Sequence, residues 1–390
     1  MIISKITVRN WRNFQEAESN LRVVTYVIGP NASGKSNFLD VFRFLRDLAK
    51  SDGGGLQKAI SRRGGMSKVR CLHARKRPEV SITVELADSA EDAQPSWVYE
   101  LAFDAEKSGR HRVIVKKERV TRIENDKPLK VVLDRPDQHD REDGERLTQT
   151  ALEQVQANGP FRDLAEQLAR VTYLHIVPQL LKFTDEIGGR RLEDDPFGQD
   201  FLERIARTKE KFRTGRLGRI QNALRKVIPS FENLSFVQDA VTGRPHLQIK
   251  YKHHRPQGAF QREDQFSDGT LRLIALLWLL QDGDSLLLLE EPELSLNLQV
   301  VEKIPQLIEQ VKKLLKKTRQ IIITTHSEAL LSNKGIDGRS VVVLVPSEDG
   351  TKITGPTTSD LEGMRAGFSP AETMLPKAQR LKAGQMELAL

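Results

Sequence analysis

The stretch VIGPNASGKSNFLD, which runs from Val27 to Asp40, decides the fold of this chain. It places an apolar strand before the pattern G-x-x-x-x-G-K-[ST] and a helix after it. Glycines let the backbone wrap closely around an anion, so that successive N–H groups point at phosphate oxygens. The positive end of the helix points at the same anion. The stretch therefore predicts a phosphate cradle, rather than a plain glycine turn between strand and helix.

The residue types in the cradle predict how it binds a nucleotide. Lys35 is expected to neutralise the β- and γ-phosphates, and the hydroxyl of Ser36 to ligate Mg²⁺. The cofactors predicted from the cradle are therefore ATP and Mg²⁺. The other residues expected to contact the nucleotide are Asn31, Ala32, Ser33, Gly34 and Asn37.

A second stretch, SLLLLEEPELSLN from Ser285 to Asn297, supplies the carboxylates that hydrolysis needs. Its uninterrupted apolar run, Leu286–Leu289, predicts a central parallel strand that is buried on both faces. Glu290 and Glu291 follow at the carboxyl end, where ligands bind in open α/β sheets. Adjacent residues at a strand end point in opposite directions. We therefore expect Glu290 to hold Mg²⁺ through water and Glu291 to polarise the attacking water.

Two further polar clusters flank this stretch. FSDGT, Phe266–Thr270, opens a strongly apolar helix, and Ser267 is a plausible N-cap for it. The same cluster could instead bind a second γ-phosphate, and the residues leave both interpretations open. TTHS, Thr324–Ser327, follows another apolar strand, which predicts that His326 senses phosphate at the same edge of the sheet.

These motifs, in the order GPNASGKSN, FSDGT, LLLLEEPELSL and TTHS, carry a family resemblance. They resemble the ATP-binding-cassette head of the RecF, structural-maintenance-of-chromosomes (SMC) and overcoming-lysogenization-defect ATPases, above all the stand-alone bacterial members. The segments ITVRNWRNF, AISRRGGMSKVR and GFSPAETMLPKA fit the same group. The resemblance is thin between residues 80 and 260. It implies an α/β head with a mixed or parallel P-loop sheet, an antiparallel β lobe and a helical lobe. The sequence has no heptad run, so no long coiled coil is expected.

The resemblance implies a homodimer, or a higher even oligomer, that forms head to tail on ATP. Each nucleotide would lie between the cradle of one chain and the tetrad Ser267–Thr270 of its partner. Ser267 and Gly269 would then contact the γ-phosphate of the partner's nucleotide, and His326 would sense that of its own chain. The segment Leu294–Asn297 would cross the dimer interface.

Two more residues take roles from the resemblance. Arg12 in NWRNF is similar to a family arginine near the phosphates, and Gln179 to a glutamine that links the metal to the lobe interface. The chain also departs from the usual pattern at two positions. Glu290 replaces the common aspartate, although its longer side chain still reaches Mg²⁺ through water. Asp268 replaces a glycine of the transporters, which favours the chromosome and repair side of the superfamily.

The bulk properties of the chain agree with a soluble nucleotide-binding protein. Its 390 residues are enough for two or three domains at about 150 residues each. One cysteine, Cys71, excludes an intrachain disulfide framework, and no apolar run or leader pattern indicates a membrane span or export. We therefore expect a cytoplasmic location and no membrane partner. The net charge of +8 fits either an anionic partner such as nucleic acid or ordinary solubility.

Periodicity divides the chain into four predicted parts. Residues 80–133 alternate with a period of two, which predicts an antiparallel meander. Helices are predicted over 147–157, 161–170 and 196–228, and a hairpin around residues 241–245. The predicted parts are the N-terminal P-loop part of the ATPase core at 1–79, an antiparallel β and basic helical insertion at 80–260, the C-terminal part of the core at 261–345, and a tail at 346–390.

Three classes of function compete for this sequence. The leading hypothesis is an ATPase switch read by DNA or by a partner effector, such as a nuclease or toxin encoded nearby, in antiphage defence or DNA surveillance. A RecF-type repair ATPase that acts directly on DNA through the basic segment 204–226 is the alternative, although this segment also fits a solvated helix face. A transporter subunit is disfavoured by the tetrad. A nuclease is disfavoured because only 64 residues follow His326.

Overall fold

The structure is a computed structural model, and it describes residues 1–73, 78–89, 92, 94–106, 111–124, 129–183, 194–252, 260–315 and 319–379. This part of the chain contains both strands and helices. The strands are β1 (Ile2–Trp11), β2 (Phe14–Asn20), β3 (Val24–Ile28), β4 (Val80–Ala87), β5 (Trp97–Ala105), β6 (Val113–Arg122), β7 (Lys130–Arg135), β8 (Thr172–Leu174), β9 (Phe231–Gln238), β10 (Pro245–Tyr251), β11 (Gln261–Arg262), β12 (Leu287–Glu290), β13 (Ile321–Thr325), β14 (Val341–Ser347) and β15 (Gly350–Thr354).

The helices differ widely in length. They are α1 (Lys35–Ala49), α2 (Leu56–Ser61), α3 (Met66–Val69), α4 (Gln138–Glu142), α5 (Arg162–Ala169), α6 (Pro178–Lys182), α7 (Phe201–Arg207), α8 (Glu210–Val227), α9 (Asp268–Leu279), α10 (Leu298–Val301), α11 (Ile304–Leu314), α12 (Glu328–Leu331), α13 (Thr358–Arg365) and α14 (Pro370–Gln379). Even α8 has only 18 residues, so no long coiled coil leaves the described part of the chain.

The central sheet positions the site. Its strand order is β15-β14-β3-β13-β12-β8, and all neighbours except β15 and β14 are parallel. Alternate side chains of the inner strands enter two different cores: Leu287 and Leu289 face one, whereas Leu286 and Leu288 face the other. Because both faces are covered, these strands are continuous apolar runs. Their carboxyl ends meet at one edge.

The antiparallel lobe covers one face of this sheet through α1. Its strand order is β2-β1-β4-β5-β6-β7, so residues on both sides of the predicted division at 79/80 share one sheet. Aromatic rings connect the layers, with Trp11 5.1 Å from Phe44 and Phe44 5.4 Å from Phe103. The predicted meander is confirmed. The first 28 residues contain three strands, since β1 and β2 form a hairpin before β3.

The second lobe covers the other face with helices α7, α8 and α9 and with the small sheet β11-β10-β9. The predicted hairpin around residues 241–245 is confirmed as β9 and β10. In α9 every residue from Gly269 to Leu279 is buried, including the charged Arg272. The tail predicted at 346–390 contains β15, α13 and α14, and its residues 380–390 lie outside the described ranges.

One predicted helix is wrong. Residues 147–157 form a 3₁₀ turn that ends at Thr148, followed by further turns. The reason is the buried carboxylate of Glu118, which accepts hydrogen bonds from the backbone N–H groups of Ala151 (2.7 Å) and Leu152 (3.1 Å). These N–H groups are therefore not available to a helical ladder.

Candidate functional site

Three of the predicted polar clusters lie together at the carboxyl edge of the central sheet. The cradle follows β3, the two glutamates follow β12, and His326 follows β13, which lies between the other two strands. The register places Glu290 opposite Thr324, and Thr325 opposite Ile28. Parallel pairing brings these ends to one edge, and ligands of open α/β sheets bind there.

The cradle has the backbone that its glycines predict. Gly34 has φ of 97°, and a Cβ atom there would lie 2.0 Å from the side-chain nitrogen of Asn13. Ala32 also has positive φ, 63°, and is exposed with Asn31 at the rim of the loop. Helix α1 follows without an acidic residue in its first turn, so its positive end is left for an anion.

The ammonium of Lys35 is turned into the cradle. It is 7% exposed and donates to the carbonyl oxygens of Gly29 (3.0 Å) and Pro30 (3.1 Å). Burial lowers the pKa of Lys35, against the opposing effect of the nearby glutamates. The hydroxyl of Ser33 is buried and has no hydrogen-bond partner among the described residues. A buried cation, an orphan hydroxyl and a free helix end together fit a polyphosphate.

Glu290 connects two strands and the cradle. One carboxylate oxygen accepts a hydrogen bond from the hydroxyl of Ser36, and the other accepts one from the phenol of Tyr173 on β8. Hydroxyl and carboxylate oxygens are the donors that Mg²⁺ prefers. Ser36 and Glu290 would therefore hold the metal, as predicted, and the geometry fits the group.

Tyr173 is a site residue that sequence reasoning missed. It pairs with Leu288 across the parallel strands β8 and β12, which places its phenol beside Glu290. The guanidinium of Arg43 lies 4.2 Å from the centre of its ring. Burial, together with the hydrogen bond to Glu290, raises the pKa of Tyr173. The phenol therefore stays protonated and remains a donor at neutral pH.

Glu291 points away from Glu290 and lies beside His326. Its backbone has φ of 44°, and its N–H donates to the carbonyl oxygen of Thr324 (3.0 Å). Its carboxylate is 3.1 Å from Nδ1 of His326, whose side chain is about half exposed. The two adjacent glutamates thus have different partners. Different partners were expected, because Glu290 is predicted to hold Mg²⁺ and Glu291 to polarise the attacking water.

The turn between β1 and β2 supports the cradle from outside. The side-chain amide nitrogen of Asn13 donates to the carbonyl of Ser33 (3.1 Å) and to Thr351 (2.7 Å), and its oxygen accepts from Asn37 (2.7 Å). Asn13 was not predicted, since an asparagine before a strand is common in turns. The observed partner of Asn37 is therefore Asn13, which holds the cradle loop in place.

Arg12 is held by helix α1. Its guanidinium donates to the carboxylate of Asp40 at 2.6 Å, and Arg63 donates to the same carboxylate at 2.9 Å. Burial opposes ionisation of Asp40, yet Arg63 and Arg12 hold its pKa below the ordinary value. Its observed partner is thus a buried acid behind the cradle, and the phosphate role implied by the resemblance stays a prediction.

The tetrad Ser267–Thr270 lies at the start of α9. The hydroxyl of Ser267 accepts from the N–H of Thr270 (3.1 Å), which confirms the predicted N-cap. A Cβ atom on Gly269 would lie 2.5 Å from the carbonyl oxygen of Ser295, so the tetrad packs directly on the segment Leu294–Asn297. Among the described residues, no hydrogen bond joins the tetrad to the cradle of the same chain.

Gln179 contacts the tetrad. Its side-chain nitrogen donates to Asp268 (2.6 Å), and Lys182 donates to the other oxygen of the same carboxylate (2.7 Å). The observed partner of Gln179 is thus a residue of the tetrad, and its role at the metal stays a prediction. Gln179 was singled out because it is a glutamine that follows a predicted strand. In the structure it lies in helix α6, and its side chain contacts Asp268 of α9.

Three arginines of the basic segment 204–226 have partners within the chain. Arg204 (3.1 Å) and Arg216 (2.8 Å) both donate to the carboxylate of Asp282, in the turn before β12. Arg219 donates to Gln281 at 2.6 Å. The pair His253-His254, expected to form a loop, lies outside the described residues. Exposed basic residues of the segment include Arg207, Lys209 and Lys211.

Comparison with known proteins identifies the family and the fold. A protein-family model described as "AAA domain, putative AbiEii toxin, Type IV TA system" matches residues 24–332. No curated protein sequence matches the chain. Among solved structures, an SMC head bound to the C-winged helix domain of ScpA has a TM-score of 0.55 at 13% identity, covering 92% of this chain and 99% of its own. An SMC head with an extended coiled coil, bound to the C-terminal domain of ScpA derived from Pyrococcus furiosus, has a TM-score of 0.53 at 11% identity, covering 93% and 98%.

The expected fold class, an α/β ATP-binding-cassette head, is confirmed by the likeness to SMC heads. Among the described residues, no helix is both long and apolar enough to cross a bilayer.

Proposed function

The chain belongs to this AAA domain family and has the ATP-binding-cassette head of the RecF and SMC superfamily, and on that premise we propose that it is a Mg²⁺-dependent ATPase that works as a nucleotide-controlled switch. ATP would close a dimer, and hydrolysis would open it. A partner protein or DNA would respond to the difference between the two states.

One observation carries this proposal. Ser36 on α1 and Glu290 on β12 are hydrogen-bonded across the sheet edge, with the buried Lys35 on one side and the Glu291–His326 pair on the other. This arrangement gathers a phosphate-binding cation, two oxygen ligands for a metal, and a carboxylate that can orient water. Phosphoryl transfer requires mainly positioning and charge stabilisation, and these groups provide both.

Each residue then has a distinct role in hydrolysis. Lys35 would exchange its two carbonyl acceptors for phosphate oxygens, which carry full negative charge and bind an ammonium more strongly. Ser36 and Glu290 would hold Mg²⁺, which neutralises phosphate charge when it is bound. Glu291 would accept a hydrogen bond from the attacking water, and His326 would orient Glu291 and sense the terminal phosphate.

The position of the tetrad supports a site that is shared between two chains. Gly269 packs on Leu294–Asn297, and among the described residues neither Ser267 nor Gly269 has a hydrogen bond to its own cradle. A symmetric pair of chains would place each tetrad over the partner's cradle, giving a homodimer or a higher even oligomer.

We propose an effector protein as the output of the switch. The matching family model carries the name of a toxin from a type IV toxin–antitoxin system, and the similar SMC heads were solved bound to a ScpA domain. Both suggest that heads of this kind work together with another protein. A nuclease or toxin encoded nearby, acting in antiphage defence or DNA surveillance, fits this chain best.

Direct action on DNA, as in a RecF-type repair ATPase, is the second candidate. It is favoured by the exposed basic residues Arg207, Lys209 and Lys211 near the junction of α7 and α8. It ranks lower because Arg204 and Arg216 in the same segment both pair with Asp282, whose charge offsets one of their two charges. Duplex backbone contact would suit such a surface, since a phosphate-binding patch needs cations rather than aromatic rings.

Two measurements on the purified protein test the proposal. The first is phosphate release from ATP with and without Mg²⁺, and the second is molar mass by light scattering with and without ATP. We expect Mg²⁺-dependent release and a doubled mass with ATP. Absence of both would contradict the function, and robust plasmid cleavage by the pure protein would favour a nuclease. Co-purification from native cells would identify the effector.

A further inference from the structure

Arg272 is a buried cation near the site that lacks a partner. It lies on α9, within one turn of the tetrad, and is 6% exposed. Its Nε and one terminal nitrogen have no hydrogen-bond acceptor among the described residues. Burial lowers the pKa of Arg272, although Asp268, Glu293 and Glu291 favour the charged form. A buried guanidinium without acceptors is rare in folded proteins and calls for an explanation.

Glu293 is a buried acid with an acceptor atom that lacks a hydrogen-bond donor in the described part of the chain. It is 7% exposed, two residues after Glu291, and one of its carboxylate oxygens accepts a hydrogen bond from Thr325 at 2.5 Å. The other oxygen is buried and has no partner among the described residues. Glu293 is thus tied to the residue that directly precedes His326, and half of its hydrogen-bonding capacity is unused.

The elements that carry these two charges already touch. A Cβ atom on Gly269, three residues before Arg272, would lie 2.5 Å from the carbonyl oxygen of Ser295, two residues after Glu293. The charge of Glu293 acts on Arg272, so the two groups are within electrostatic range, and a shift of α9 against the turn after β12 would bring them into contact. Such a pair would satisfy an orphan donor and an orphan acceptor at once, whereas each is costly to keep alone.

We propose that Arg272 and Glu293 form an ion pair when ATP binds, and that this pair couples the tetrad to the nucleotide site of its own chain. The inference rests on the proposed function and adds a regulation to it. The connection runs from the tetrad through Arg272, Glu293 and Thr325 to His326. Arg272 is a positioning residue in this scheme. Each chain presents its tetrad to the partner only when its own cradle is loaded, so the two nucleotides bind cooperatively.

The test compares Arg272→Met, Glu293→Gln and the double variant, each in a Glu291→Gln background that prevents turnover. Thermal unfolding is measured with and without ATP and Mg²⁺, and ATP binding is measured by titration. Without ATP, we expect Arg272→Met to melt at or above the parent temperature, because it removes an unpaired buried charge. With ATP, the stabilising shift should fall by about half in each single variant and no further in the double variant, and the Hill coefficient should fall to about one.

Arg319 provides a matched control. It is also a buried arginine, but its Nε donates to the backbone carbonyl of Ser285 and one terminal nitrogen donates to those of Leu279 and Asp282. Arg319→Met should lower the melting temperature equally with and without ATP and leave the Hill coefficient unchanged. The same behaviour in Arg272→Met would overturn the inference. If the parent itself shows no ATP shift, the proposed function fails and this inference with it. If the parent shifts and the variants shift equally, only this inference fails.

Discussion

Tyr173 donates its phenolic hydroxyl to the carboxylate of Glu290, which also accepts a hydrogen bond from Ser36. The tyrosine therefore fixes one oxygen of the proposed metal ligand and leaves the other directed at the cradle. Partners behind a metal ligand commonly change metal affinity or activity strongly when they are removed.

Tyr173→Phe should weaken the use of Mg²⁺ while leaving the fold intact. We expect the Mg²⁺ concentration for half-maximal ATP turnover to rise about tenfold, because Glu290 loses its orienting donor. The measurement is phosphate release across a Mg²⁺ titration. Tyr99→Phe is the control. The phenol of Tyr99 donates to the buried carboxylate of Glu118 at 3.0 Å, away from the site, so this variant should lower the stability only. An identical Mg²⁺ dependence in both variants would exclude a role for Tyr173.

Lys35→Ala should abolish ATP binding. The variant removes the buried ammonium that is directed at the cradle carbonyls, and no other described lysine lies in the loop. Binding is measured by calorimetry or with a fluorescent ATP analogue. Lys117→Ala serves as the control, because this lysine pairs with Glu100 on the antiparallel sheet (3.0 Å). Unchanged affinity in the Lys35 variant would mean that the cradle does not bind the phosphates.

Glu291→Gln should bind ATP but barely turn it over. The amide keeps the shape of the side chain but cannot act as the base for water, so turnover should fall by at least about 100-fold. The trapped ATP state should accumulate as a dimer, measured by size exclusion with light scattering. Glu302→Gln, at the end of α10, is a control that should turn over normally. A monomeric Glu291 variant under saturating ATP and Mg²⁺ would contradict the shared site.

Gly269→Ala should block the dimer without affecting ATP binding to the single chain. A methyl group there would lie 2.5 Å from the carbonyl oxygen of Ser295, so the tetrad or the adjoining segment has to move. The readouts are ATP affinity and ATP-dependent mass. Gly218→Ala on α8 is the matched control, since nothing lies within 4 Å of its new Cβ. This control should raise the free energy of unfolding by about 0.5–1 kcal/mol. Normal dimerisation of Gly269→Ala would exclude the tetrad from the interface.

Asp40→Asn should destabilise the protein in a pH-dependent way. The change leaves Arg12 and Arg63 without their shared carboxylate, and we expect a loss of about 3–5 kcal/mol of unfolding free energy near neutral pH. The folded pKa of Asp40 is lowered, so its contribution is present above the unfolded pKa of about 3.9 and is lost as the pH falls.

The check on Asp40 is urea unfolding of parent and variant between about pH 7 and about pH 3. The difference between the two proteins should shrink as the pH falls. Asp134→Asn, which breaks an exposed pair with Arg119, should have a much smaller effect at every pH. A difference that does not depend on pH would show that Asp40 acts by packing rather than by charge.

The local parts of the site can be predicted from the amino-acid sequence. The cradle before α1, the glutamates at the end of β12 and His326 after β13 each lie in a short contiguous segment. Backbone preferences and an apolar run are sufficient to define such a segment, because its interactions are between near neighbours. The same reasoning predicted the antiparallel meander from its period of two.

The distant residues that complete the site become apparent once the chain is folded. Tyr173 and Glu290 are 117 positions apart, and Asn13 and Thr351 are 338 apart, so no local pattern connects them. Long-range contacts also outweigh the local preference for a helix over residues 147–157. The N–H groups of residues 151 and 152 donate to Glu118 and are not available to a helix. Buried polar groups must find a partner wherever the fold brings one, and the fold, not the neighbouring sequence, sets that choice.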